Sequence, residues 1–180
     1  FITFIVSVII IGSRQFALAV IGHDGAHNLL FSDPKVNDFT SQWLCAYPIF
    51  QDNRVYRPYH LKHHRFTETK DDPDLSLSAP FPIKKDSFYR KIFRDLTGIT
   101  GYKRYSQALN SILNTEAKNS KEKLNKVWHK IHGFLITNTI IFLMISIFFH
   151  WSLFFLLWWL PAFTYYSLII RIRNIAEHSV

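Results

Sequence analysis

The residues best suited to chemistry lie at 59–66, Tyr-His-Leu-Lys-His-His-Arg-Phe, where three imidazoles stand at His60, His63 and His64. On a helix, offsets of three and four residues bring side chains onto one face, so His60 would lie against both other rings. The segment offers a cluster of nitrogen donors, the outline of a metal site. His23 and His27 repeat the i, i+4 spacing, and His178 stands two residues from the end of the chain. Five of the nine histidines thus fall in two short motifs, and function is to be sought there.

Imidazole serves iron, copper, zinc and nickel alike, so number and geometry must choose the metal. His23, His27, His60, His63, His64 and His178 make six candidate ligands, more than a tetrahedral zinc ion uses and the right order for two ions sharing a site. Open positions on redox-active iron would allow dioxygen activation. A two-zinc hydrolase is the alternative, although such sites usually add bridging carboxylates. Cys45 is the only cysteine, which excludes an internal disulfide, a Cys-rich zinc site and a protein-bound iron–sulfur cluster. Asp24, Asp72, Asp74 and Glu177 neighbour the histidines and could accept the second ring N–H of a ligand, fixing its tautomer. For Asp72 and Asp74, capping of turns around Pro73 is an equal reading. Asn174, one helical turn before His178, could bind metal directly or hold a coordinated water, or be only a polar residue at a helix end.

The elements that must position these groups are apolar helices. With 180 residues and a net charge of +8, the chain concentrates its apolar residues at its two ends and its basic residues between them. Three stretches, about 1–22, 133–149 and 151–171, approach the roughly 20 residues that cross a bilayer core of about 30 Å. The expected fold is therefore all-α and multi-pass, with region 23–132 forming a histidine-rich helical cap. Almost every lysine and arginine lies in that region and none in the turn near His150 and Trp151, which places the cap in the cytoplasm by the positive-inside rule. His23, His178 and Asn174 then emerge on the same side as the triple-histidine segment. Nucleic-acid binding is set aside, because the basic residues follow the spans and show neither a stacking platform nor a helix-turn-helix pattern.

Within the cap, the first helix is expected to run to about residue 30 and to stop before Pro34. Residues 38–50, with Trp43, Tyr47 and Pro48, read as an interfacial piece, and the triple-histidine helix as starting near Pro58. Prolines and small polar residues make 70–82 an extended loop. From Asp86 a helix restarts with Phe88, Ile92, Phe93 and Leu96 on one face and Arg90, Lys91 and Arg94 on the other. That layout suits a helix lying on an anionic membrane, and equally a helix packed on its own domain. Residues 118–130 read as a polar helix. Phe1 opens inside an apolar run and the chain stops just after His178, so the sequence reads as an internal fragment of a longer protein.

Three motifs, His-Asp-Gly-Ala-His, Tyr-Arg-Pro-Tyr-His-Leu-Lys-His-His-Arg-Phe-Thr with its following Asp-Asp-Pro-Asp, and Arg-Asn-Ile-Ala-Glu-His, resemble in order and spacing the histidine motifs of the membrane fatty acid desaturase superfamily. Two further runs, Asp-Leu-Ser-Leu-Ser-Ala-Pro-Phe-Pro and Asp-Leu-Thr-Gly-Ile-Thr-Gly-Tyr-Lys-Arg, resemble its bacterial desaturase-like branch, which includes proteins named as rhizopine-catabolism oxygenases. The resemblance implies a non-haem di-iron enzyme of the bacterial inner membrane that uses dioxygen and two external electrons to desaturate or hydroxylate a lipid acyl chain. It implies His23, His27, His60, His63, His64 and His178 as iron ligands, with Asn174 acting directly or through water, and a soluble electron donor such as a ferredoxin. A final His-x-x-His-His motif belongs to the family pattern and does not follow His178 within these residues, so the fragment alone is expected to be inactive. A hydroxylase or ketolase of another apolar substrate, such as a carotenoid, shares the ligands. From another class, a membrane metal-binding or transport protein would also be rich in histidine, but would place ligands near the middle of its spans.

Overall fold

The computed structural model describes residues 1–75 and 82–178, with side chains as far as Ala176. All regular structure among the described residues is helical, in keeping with the expected all-α class. Three stretches are long and apolar enough to cross a membrane: Ile2–Ala26, Ser120–Phe148 and Phe154–Ala176.

Helix α1 (Ile2–Ala26) carries the first histidine pair at its end. It stops at Ala26, several residues short of Pro34, because Asn28 turns into the left-handed region at φ 59°. Pro34 instead opens the next helix, α2 (Pro34–Phe39), whose N-cap Asp33 accepts a hydrogen bond from the Lys35 amide at 2.7 Å. Proline in a first turn costs no helical hydrogen bond, and a preceding aspartate caps it. A π-helical stretch (Thr40–Ala46) and a 3-10 turn (Tyr47–Ile49) follow, and Phe50 closes the turn at φ 57°. Tyr47, in this stretch, is buried, its ring packed where any side chain on Gly133 would collide with it.

Helix α3 (Asn53–Phe66) begins five residues before Pro58. The N-cap explains the difference, since the Asp52 carboxylate accepts from the Arg54 amide at 3.0 Å and starts the helix there. Thr67–Asp74 form turns, and residues 76–81, the centre of the expected loop, lie outside the described residues. Helices α4 (Lys85–Leu96) and α5 (Ile99–Leu113) make a corner at Gly98, which takes φ 81°.

Helix α6 (Ser120–Phe148) is continuous through 29 residues, fusing the expected polar helix with the second apolar span. The third apolar stretch is broken. It runs as a π-helix (Phe154–Trp159), a short α7 (Leu160–Phe163), an interruption at Thr164, and α8 (Tyr165–His178). Pro161 supplies no amide to the turn before it, which favours this kind of widening and kinking. The disturbed backbone is answered by side chains: Gln15 of α1 donates to the Trp158 carbonyl at 2.7 Å, and the Trp158 indole donates to Asn138 Oδ1 at 3.1 Å. Asn138 in turn donates to the Phe134 and Pro48 carbonyls at 3.1 and 3.3 Å. Such pairing is required where no water can reach the backbone.

Candidate metal centre

The first helix delivers His23 and His27, and its end is held by long polar side chains from the cap. Asn53 donates to the Gly22 carbonyl at 2.8 Å, while Asn37 and Arg57 both donate to the Gly25 carbonyl at 2.9 Å. Arg57 also grips Asp38 at 2.5 Å, and Gln42 accepts from the Asn53 amide at 2.9 Å. The amides of His27, Asn28 and Leu29 already reach the last carbonyls of α1, and these side-chain contacts add to them and tie the helix to α2 and α3 at once. None of Asn37, Gln42, Asn53 and Arg57 was singled out by the sequence reading.

Across this junction, His23, His27, His60 and His64 each offer a ring nitrogen, all within 4.8 Å of one another. His60 Nε2 lies 3.0 Å from His27 Nε2 and 2.9 Å from His64 Nε2. The His23 and His60 ring centres are 4.5 Å apart. His60 is buried, and Tyr56, one turn earlier, stacks on its ring at 4.8 Å and 14°. Burial, with His23, His64, His27 and His63 close by, pushes the pKa of His60 down to about 3. His27 is also lowered, by burial and then by His23 and His64, against a smaller opposing effect of Asp24. His60 is therefore a neutral donor throughout the physiological range.

This set fits a metal ion. One ring nitrogen facing two others at about hydrogen-bond distance can share a proton with only one of them, so a lone pair remains directed at a lone pair unless a cation stands among them. The spacing is also right: metal–nitrogen bonds of about 2.1 Å at right angles separate the two nitrogens by about 3.0 Å.

The remaining sequence candidates are placed differently. His63 is turned aside: its Nδ1 lies 2.7 Å from Asp72 Oδ1 and 3.7 Å from Asp74 Oδ2, and its ring centre is 5.5 Å from that of His64. Asp24 lies 3.1 Å from His23 Nδ1. Asp74 accepts from the Tyr59 hydroxyl at 2.5 Å. Asn174 is on α8, in register with the last turn of that helix. The Glu177 and His178 side chains lie outside the described residues.

Asp72 is the centre of its own network. Burial alone would raise its pKa, but hydrogen bonds from His63 and from the Asp74 and Glu68 amides outweigh it and hold the carboxylate at about 2. A carboxyl depressed from 3.8 contributes stability that is complete above 3.8 and lost as pH falls through about 2. Asp72→Asn is expected to destabilise the protein by about 1–3 kcal/mol. Thermal unfolding of wild type and variant should differ by a steady amount at neutral pH and converge only in strong acid.

The fatty acid desaturase family profile matches residues 1–180 of the chain. Dihydrorhizobitoxine desaturase of Bradyrhizobium elkanii is 37% identical over 71 residues, which is 38% of this chain. The match spans 20% of that relative's length. No solved structure matches the chain.

Proposed function

The chain belongs to the fatty acid desaturase family, and on that footing we propose that it is part of a di-iron membrane oxidoreductase that desaturates a lipid acyl chain with dioxygen. The observation that carries this reading is the convergence of four imidazoles from two separate helices, with no carboxylate among the converging donors. Nitrogen-rich coordination suits a redox-active first-row metal, and an unactivated methylene offers no acid, leaving group or electrophile for simpler catalysis. Bound iron would supply the oxidising power, removing two hydrogens from the chain as dioxygen, two electrons and two protons become two waters.

His23, His27, His60 and His64 would hold one ion. His63, His178 and Asn174, the last directly or through water, would contribute to the second together with residues beyond this chain. In that arrangement Asp72 keeps the Nδ1 proton of His63 in place and leaves its Nε2 to the metal, while Asp24 does the same for His23 and Asp74 steadies the Asp72 turn. Glu177 would support His178. The substrate's apolar chain has a place beside the cluster: a groove of about 460 Å³, lined by Tyr47, Phe50, Val55, Ile112 and Phe134, reaches Tyr56, the residue stacked on His60. Tyr56 thus separates lipid from metal donors and excludes water from the His60 ring. The cap faces the cytoplasm of a bacterial cell, where a soluble electron donor such as a ferredoxin can reach it; the basic residues of the cap support that orientation.

The test is iron analysis and turnover of the full-length protein in lipid. About two iron ions per chain, reductant-dependent oxygen consumption and a product lighter by two hydrogens are expected. A product carrying an inserted oxygen would replace the desaturase reading by the hydroxylase one. Metal uptake into vesicles without oxygen consumption would overturn both.

A further inference from the structure

Helix α4 has two faces, and only one of them is occupied. Asp95 is fully buried and bound by both Nε and Nη2 of Arg171 on α8, the latter at 2.8 Å, with Phe88 and Ile92 on the same inward side. The apolar face expected from sequence is therefore split: Phe88 and Ile92 turn inward, whereas Phe93 and Leu96 join Tyr89 on the outside. Tyr89 and Phe93 are each 63% exposed, and Leu96 48%. The stripe continues around the Gly98 corner through Ile99 and Tyr102 of α5, the latter 67% exposed. Large apolar side chains spaced i, i+4, i+7 and then carried onto a second helix form a continuous surface, which a water-exposed element would not keep.

Two observations identify what covers it. The first is height. The α4–α5 corner lies directly on the third apolar stretch, since a side chain on Gly101 would strike the Phe163 carbonyl at 2.4 Å, and Asp95 meets Arg171. Twenty residues at about 1.5 Å each separate Arg171 from the turn at Trp151, about the 30 Å of a bilayer core. Arg171 and α4 thus sit at the membrane boundary on the histidine side. The second is charge. Arg90, Arg94 and Lys103 are all exposed and flank the stripe, while Asp95, within the same stretch, is buried and paired.

We propose that α4 and the first turn of α5 form an anchor in the membrane interface, with Tyr89, Phe93, Leu96, Ile99 and Tyr102 immersed among acyl chains and Arg90, Arg94 and Lys103 at the phosphates of anionic lipids. An apolar face of this width with basic flanks is the pattern of helices that lie in the plane of a membrane surface. The anchor clamps α8, the helix bearing Asn174 and His178, against the bilayer. It rests on the membrane-spanning reading and is independent of which reaction the metal centre performs.

Spin labels placed through Tyr89→Cys, Phe93→Cys and Leu96→Cys in the full-length protein, in a background lacking other reactive cysteines, test this in nanodiscs of phosphatidylglycerol or phosphatidylcholine. In phosphatidylglycerol all three labels should collide freely with oxygen and be shielded from an aqueous nickel chelate. Labels at Arg90 and Arg94 should report the headgroup level. Adding Arg90→Glu and Arg94→Glu to the Phe93→Cys variant should reduce its immersed population by about fivefold per charge removed. Water-like exposure of all three labels in phosphatidylglycerol would overturn the proposal. Shielding from both reagents would also overturn it, by showing that protein rather than lipid covers the stripe. Unchanged iron content in these variants keeps the result separate from the fate of the di-iron reading.

Discussion

His60→Ala in the full-length protein is expected to lower metal affinity by more than about 100-fold and to abolish turnover. Removing a group that merely orients a ligand typically costs about 10–100-fold, and His60 is at the centre of the donor set, with its Nε2 beside those of both His27 and His64. The decisive readout is linkage. A metal that binds only the folded protein raises its melting temperature with concentration, so the wild type should gain stability as ferrous iron is added and the variant should gain almost none. The metal-free variant should be little less stable than the metal-free wild type. Burial and the neighbouring rings hold the pKa of His60 far below 6.5, so the folded state resists its protonation, and below that pH the ring costs the metal-free protein stability. His64→Ala should behave alike, and His150→Ala, an exposed histidine at the far turn, should not. If the four rings were only a hydrogen-bonded structural cluster, the pattern would invert: His60→Ala would weaken the metal-free protein and leave iron content untouched.

The spacing of the histidines was legible because helical geometry alone makes i, i+3 and i+4 neighbours, and the apolar stretches because their length is set by the bilayer. Which histidine Asp72 would take was not. His63 and His64 are equally well spaced from His60, and the turns at Thr67–Asp74 bring the buried carboxylate back to His63 Nδ1. Helix ends failed for a related reason. Pro34 and Pro58 were read as boundaries by their own stereochemistry, yet Asp33 and Asp52 set the starts of α2 and α3, and α1 stops where Asn37 and Arg57 take the Gly25 carbonyl. The capping groups of α1 lie 12 and 32 residues from Gly25, beyond any local pattern. Aspartates at a predicted helix start carry more positional information than a proline nearby, because the proline only permits a first turn whereas the carboxylate stabilises it.

Asp95 shows the same limit in its strongest form and yields the second large effect. Nothing in the local sequence pattern singles it out, and it is fully buried against Arg171, whose side chain keeps 22% exposure. Breaking a buried, bidentate pair costs about 3–5 kcal/mol, because the surviving charge is left without its partner. The two single variants should not be equal. In Asp95→Ala the guanidinium can still turn its head toward water along its partly open path, which limits the loss to the lower end of that range. In Arg171→Met the carboxylate has no such route and the loss should reach the upper end, a fall in melting temperature of roughly 10 °C or more. The double variant Asp95→Leu, Arg171→Met places apolar groups on both sides of the contact and should recover most of the stability lost by either change alone. Thermal unfolding of the four proteins in one detergent measures the coupling directly. Additive losses, with the double variant least stable, would mean that the pair does not hold α4 to α8, and that packing by Phe88 and Ile92 carries the contact instead.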